Sequence, residues 1–134
     1  DESSDFTRYP QDLNKDLSRL AMLAADYVFA PATESIYPEG HSMPVDICPL
    51  GHILEGRFRP GHFSGVATIL LKLFNFIPAD FAFFGEKDYQ QVLVVKKAVD
   101  ELNLDTQIIV LPTIREKDGL ALSSRNSYLN KEER

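Results

Sequence analysis

Only one cysteine, Cys48, occurs in the 134 residues, so no intrachain disulfide can form. A reducing, cytoplasmic setting is the expected one. Long hydrophobic runs are also lacking. The longest apolar stretch, 63–77, is interrupted by Lys72 and Asn75 and is too polar to span a membrane. No basic-then-apolar signal segment opens the sequence. Runs of Lys and Arg are missing as well: fourteen basic against twenty acidic residues leave a net charge of -6. A nucleic-acid binder carries the opposite sign at least in patches, so no such partner is expected. An anionic substrate then needs locally placed cations in place of a general positive field. His41, His52 and His62 are spaced too widely for a metal-ligand pattern, and no protein metal site is expected. Cys48 reads as a buried small residue and not a nucleophile. The Walker A pattern GxxxxGK[ST] is absent.

What is present describes an ordinary folded chain. Hydrophobic residues make up 44% and charged residues 25%, enough for one compact domain with a core. Leu13, Leu17, Leu20 and Ala24 follow Pro10 at helical spacing and predict a helix over 11–25. Short strands are expected at 27–30 and 45–48, the second inside a loop dense in Pro and Gly. Phe63, Val66, Leu70, Leu73 and Ile77 predict a second helix from Gly61 to Pro78. The apolar run 81–84 reads as a strand covered on both faces. Tyr89, Val92, Val95, Val99 and Leu102 give a third helix, and 107–111 a further strand. Strand, helix, strand with short connections is a βαβ crossover, which implies parallel strands and an α/β class. The first residue is not Met, and Asn130 with Glu133 reads as a helix start at the end of the chain. A fragment of a larger protein is therefore expected, the alternative for that end being a short terminal turn.

Two segments carry chemistry. Gly85-Glu86-Lys87-Asp88 lies where a strand ends and a helix begins, the position at which open parallel sheets bind ligands. Gly85 has no side chain to obstruct a ligand. The free N–H groups of a helix start attract anions. Lys87 adds a mobile positive charge for phosphate oxygens, and Asp88 can accept from sugar hydroxyls. Gln91, four residues after Lys87, shares its helix face and can donate and accept toward a carboxylate or hydroxyl. The second segment is Leu122-Ser123-Ser124-Arg125-Asn126, whose two hydroxyls and guanidinium suit an oxyanion or phosphate clamp. Asp118-Gly119 before it is a turn signal, so the segment can close over phosphates and release. Each segment also has an ordinary reading, a capped strand-to-helix turn and a polar surface loop. Arg59-Pro60-Gly61-His62 offers two cations near a helix start, where capping serves equally well.

In this order the segments resemble the pantoate–β-alanine ligase family along nearly the whole chain. Phe6-Thr7-Arg8-Tyr9-Pro10, Val28-Phe29-Ala30-Pro31 and Tyr37-Pro38-Glu39-Gly40 look like its early landmarks. Arg59-Pro60-Gly61-His62-Phe63 resembles the opening of its central helix. Phe83-Phe84-Gly85-Glu86-Lys87-Asp88-Tyr89-Gln90-Gln91 is the most specific stretch. Pro112-Thr113-Ile114-Arg115-Glu116 and the Ser123-Ser124-Arg125 segment close the pattern. The resemblance implies a Rossmann-like parallel sheet of the nucleotidylyltransferase superfamily, present as an incomplete domain over 1–120. Residues 121–134 would be a phosphate-binding loop and the start of a small C-terminal domain. It implies ATP as substrate with Mg2+, pantoate and β-alanine as further substrates, and a homodimer. Gly85, Glu86, Lys87, Asp88, Ile114, Leu122, Ser123, Ser124 and Arg125 would bind ATP. Lys87, Ser123, Ser124 and Arg125 would also be catalytic, and Gln91 would hold pantoate. Residues 122–125 would be a flexible loop related to the KMSKS loop of class I aminoacyl-tRNA synthetases.

The family's N-terminal His motif and its substrate-binding Gln have no match here, so the resemblance implies little or no ligase activity for this chain alone. Two other readings compete. One is an enzyme of the same fold adenylylating another small carboxylic acid. The other is a non-catalytic adenine-nucleotide-binding module.

Overall fold

A computed structural model describes residues 12–134, and the landmark at Phe6 to Pro10 lies outside them. The chain forms two compact units, one of Asp1–Ala32 with Arg115–Arg134 and one of Thr33–Ile114.

In the first unit, helix α1 spans Leu13–Met22. Asp12 caps it by accepting from the Lys15 N–H at 3.0 Å. The helix stops short of the expected 25 because Ala24 takes a φ of 54°, and the Ala25 N–H turns back to the Leu20 carbonyl at 3.1 Å. The strand expected at 27–30 does not form. Tyr27 is 95% exposed, and among the described residues no neighbouring strand pairs with the segment. Toward the other end, Arg115 and Ala121 form an antiparallel bridge around a turn. Gly119 occupies that turn with a φ of 90°, a conformation that favours glycine. A 3-10 turn follows at Ser124–Tyr128. Asn130 then shows the expected capping pattern. Its N–H donates to Glu133 Oε2 at 2.9 Å and its Oδ1 accepts from the Glu133 N–H at 3.1 Å. No described residue of this unit is buried.

In the second unit, α2 (Thr33–Ile36) leads into the Pro- and Gly-rich loop, a 3-10 turn at Leu50–His52 and α3 (Glu55–Phe58). The strand expected at 45–48 is absent. The Val45 N–H instead donates to Thr68 Oγ1 at 2.8 Å, which ties the loop to a helix and not to a sheet. Helix α4 spans His62–Phe76, close to the expected second helix. Strand β1 (Phe81–Gly85), helix α5 (Tyr89–Glu101) and strand β2 (Gln107–Leu111) complete the unit. The two strands pair in parallel, Phe81 opposite Gln107 through Gly85 opposite Leu111. The βαβ crossover and the α/β class are therefore those expected.

The core lies between α4 and α5, where Phe63, Ala67, Val94 and Ala98 cluster with Ile47 from the loop. Helix α5 is covered on more than one side, since Val92, Val95 and Val99 are buried together with Val94. Strand β1 departs from expectation. Phe81 and Phe83 are 53% and 64% exposed, while Ala82 and Phe84 are half-buried. Side chains alternate between faces along a strand, so within this unit one face of β1 is covered and the other is open. Gly56 is required by close approach: a Cβ there would lie 2.1 Å from the Gly51 carbonyl oxygen.

Candidate functional site

Both parallel strands end together, at Gly85 and Leu111. The segments that leave them, 86–88 and 112–114, therefore start from the same end of the sheet. Glu86–Asp88 forms a 3-10 turn that leads directly into α5. Gly85 keeps an ordinary extended backbone, φ -77° and ψ 133°, so it does not make the turn itself. A Cβ added there would meet nothing within 4 Å. The space beside it is open, which is the property a ligand-facing glycine needs.

Asp88 stands at the N-cap position of α5, but its side chain caps no helix N–H. The positive end of the helix dipole therefore faces this strand end with no side-chain cap from Asp88 over it. Lys87 Nζ lies 3.5 Å from Asp88 Oδ1, with side chains 38% and 63% exposed. Such a loose, solvated pair holds neither group firmly. Gln91 is half-buried one turn further on. Its neighbour Gln90 has a different position. It is 9% exposed, accepts from the Glu55 N–H at 3.0 Å, and donates to the carbonyls of Leu50 and Ile53 at 2.9 and 2.8 Å. Those bonds brace the segment around Leu54, which carries a φ of 50° that a branched residue rarely adopts. No motif in the sequence marks Gln90 for a role. Its only signal is a polar residue on the buried side of an otherwise apolar helix. Ile114 follows β2 and is 66% exposed.

The other predicted segment belongs to the other compact unit. Leu122 is exposed there, Ser123 is half-buried, and Ser124 and Arg125 are exposed. Ser123 caps the 3-10 turn, its Oγ accepting from the Arg125 N–H at 3.2 Å. The Asn126 side-chain amide donates to Glu116 Oε1 at 2.8 Å and to the Ala121 carbonyl at 3.0 Å. The Asp118-Gly119 turn is present as expected. Asp118 Oδ1 accepts from the Leu120 N–H at 3.1 Å, and the Arg115 guanidinium donates to the Gly119 carbonyl at 3.0 Å. Arg134 reaches Asp118 at 2.9 Å and also pairs with Glu116.

Elsewhere, Arg59 pairs with Glu55 at 2.8 Å and contacts His62 Nε2 at 3.1 Å. Gly61 precedes α4 with a φ of 80°. Cys48 is exposed, not buried as its residue type suggested; the buried residue of that loop is Ile47. The exposed Asp46 carboxylate is held below its ordinary pKa, first by the His52 hydrogen bond and then by Cys48. The same contact with Asp46 pushes the Cys48 thiol up. A cavity of about 360 Å³ lies between Phe74, Pro78, Asp80, Asn103 and Thr106. It sits at the opposite, amino ends of the two strands and includes none of the predicted site residues.

The family model for pantoate-beta-alanine ligase matches residues 1–134. The chain is 51% identical over 133 residues to the pantothenate synthetase of Aquifex aeolicus, covering 99% of this chain and 47% of that protein. It is 53% identical over 133 residues to that of Thermodesulfovibrio yellowstonii, covering 99% and 48%. Among solved structures, pantothenate synthetase from Thermus thermophilus superposes with a TM-score of 0.91 at 49% identity, over 96% of this chain and 47% of that one. The Francisella tularensis pantoate-beta-alanine ligase, solved with beta-gamma ATP and beta-alanine, gives a TM-score of 0.91 at 42% identity, over 96% and 50%. The chain thus spans about half the length of the curated relatives it matches.

Proposed function

The chain belongs to the pantoate–β-alanine ligase family, and on that premise we propose that it carries the ATP-handling part of an enzyme that ligates pantoate to β-alanine. In this reading pantoate's carboxylate oxygen attacks the α-phosphorus of ATP, and pyrophosphate leaves. The amine of β-alanine then attacks the acyl carbon of pantoyl adenylate, forming the amide of pantothenate and releasing AMP. This is a step of coenzyme A biosynthesis. ATP enters as its magnesium complex, so the ion belongs to the substrate.

The observation that carries the proposal is the shared strand end. Gly85 and Leu111 finish side by side, and an α-helix of thirteen residues starts just beyond with its first N–H groups uncapped by Asp88. Backbone donors fixed at such an end can meet phosphate oxygens without reorganising. Lys87 would offset charge on those oxygens as the α-phosphorus is attacked, with Asp88 near the ribose and Glu86 beside the nucleotide. Ile114 would line the adenine through its backbone, and Gln91 would position pantoate. Leu122, Ser123, Ser124 and Arg125 would close on the phosphates as the mobile half of the clamp. The relative from Francisella tularensis, solved with beta-gamma ATP and beta-alanine, supports this choice of substrates. Residues 1–120 would be the Rossmann-like nucleotide domain and 121–134 the phosphate loop leading into a smaller one. We place the enzyme in the cytoplasm as a homodimer acting on small molecules. The net charge of -6 speaks against nucleic acid, and no described helix is long and apolar enough to cross a membrane.

Calorimetry with magnesium ATP tests the clamp. Lys87→Ala and Arg125→Ala should each weaken binding by about 1.5–3 kcal/mol, the range for a hydrogen bond to a charged group. Unchanged affinity in both would overturn the assignment.

A further inference from the structure

Asp46, Cys48 and His52 bring a carboxylate, a thiol and an imidazole together, their donor atoms all within 4.8 Å of one another. His52 Nε2 lies 2.9 and 3.0 Å from the two Asp46 oxygens, and the Cys48 thiol donates to Asp46 Oδ2 at 3.2 Å. None of these side chains belongs to the nucleotide reading. The scaffold beneath them is firm. Ile47, between Asp46 and Cys48, is 6% exposed and part of the core. On either side of that buried anchor, Asp46 and Cys48 are exposed. The Val45 N–H is held by Thr68 at 2.8 Å, and the Gly51 N–H closes on the Ile47 carbonyl at 2.7 Å. That closure returns the chain so that His52 faces Asp46.

We propose that Asp46, Cys48 and His52 form a three-ligand site for a divalent d-block cation of the zinc type, with water in the fourth position. The mixed O, S and N donors select this class. Calcium and magnesium require oxygen donors, whereas zinc accepts carboxylate, thiolate and imidazole in one tetrahedron. In such a tetrahedron, with bonds of about 2.0–2.3 Å, donors stand roughly 3.3–3.8 Å apart. The three groups need shifts of less than about an ångström to reach that geometry. On binding, the Cys48 thiol proton passes to solvent and the thiolate coordinates. The imidazole coordinates through Nε2 with its proton on Nδ1, and the Asp46 carboxylate gives up its contacts with His52 and Cys48 for the cation. The competing account is a surface hydrogen-bond triad that needs no ion.

Cobalt(II) titration of the purified chain separates the two. Cys48 is the sole cysteine, so a sulfur-to-cobalt charge-transfer band in the near ultraviolet reports this thiolate alone. The expected result is a band that saturates at one cobalt per chain and is displaced by zinc. Cys48→Ser should abolish it, and Asp46→Asn and His52→Gln should each weaken cobalt binding at least ten-fold. All three side chains are exposed, so the variants keep the core intact, and unaltered circular dichroism checks this. Absence of a saturable band overturns the proposal. So does a band whose affinity is unchanged in either Asp46→Asn or His52→Gln, which would leave a thiol acting without a built site.

Discussion

The segments 85–88 and 122–125 are proposed to serve one nucleotide, yet different physics holds each in place. The first continues into α5, where Val92, Val94 and Val95 are no more than 2% exposed. Its position is set by apolar burial, which charge screening does not weaken and which tolerates little movement. The second lies in a unit whose described residues are all at least partly exposed. Its shape comes from the Asn126 amide on Glu116 and Ala121, the Arg115 guanidinium on Gly119, and Arg134 on Asp118. Such contacts are individually weak and compete with water. A rigid strand end and an adaptable polar loop suit the two jobs assigned to them: one pre-set donor array, and one element that closes and releases.

The largest expected effect breaks the rigid side. Phe63 is 1% exposed at the centre of the α4–α5 core, and Phe63→Ala should cost about 3–5 kcal/mol in urea unfolding. A loss under about 1 kcal/mol would show that burial does not hold the strand end. A smaller effect distinguishes two adjacent glutamines. Gln90→Ala leaves the Glu55 N–H and the carbonyls of Leu50 and Ile53 without their partner, a cost of about 1–3 kcal/mol. Gln91→Ala should stay within roughly 0.5 kcal/mol in stability while raising the pantoate requirement in pyrophosphate–ATP exchange by the complete enzyme. Equal stability losses at the two positions would erase the distinction.

What the sequence could disclose follows the same division. Periodicity predicts α4, α5, β1 and β2 to within a residue or two, because each carries its own apolar pattern between clear breakers. The strands expected at 27–30 and 45–48 failed because a strand needs a neighbour, and composition cannot say whether one is there. Val45 found Thr68, twenty-three residues away, in place of a ladder partner. Phe81 and Phe83 show the same limit, since an apolar run reports that a face can be covered and not that it is. At the candidate site, the spacing of Lys87 and Gln91 implies one helix face, but Lys87 lies in the 3-10 turn and only Gln91 lies in α5. Gln90 was not legible, because its value lies in contacts 35 to 40 residues distant in sequence. The Asp46, Cys48 and His52 cluster was missed for a related reason. Histidine spacing alone carries no sign of it, whereas the loop closure at Gly51 joins one histidine to a carboxylate and a thiol.

The smallest effect sharpens the polar side of the comparison. Arg134, Glu116 and Asp118 are partly exposed, so raising ionic strength should screen their pairing, worth less than about 1 kcal/mol in such settings. Amide hydrogen exchange at 116–128 should therefore quicken by up to about five-fold between low and molar salt. Amides of Val94 and Val95 on the buried helix should follow far less, since their burial is apolar and the Lys97–Glu101 pair of that helix lies on its exposed side. A chloride salt at constant pH makes charge screening the main variable. If both sets quicken together, the loop is coupled to the core and its adaptability is not its own. If neither responds, the amide of Asn126 holds the loop without help from Arg134, and closure over a phosphate must break that neutral contact first.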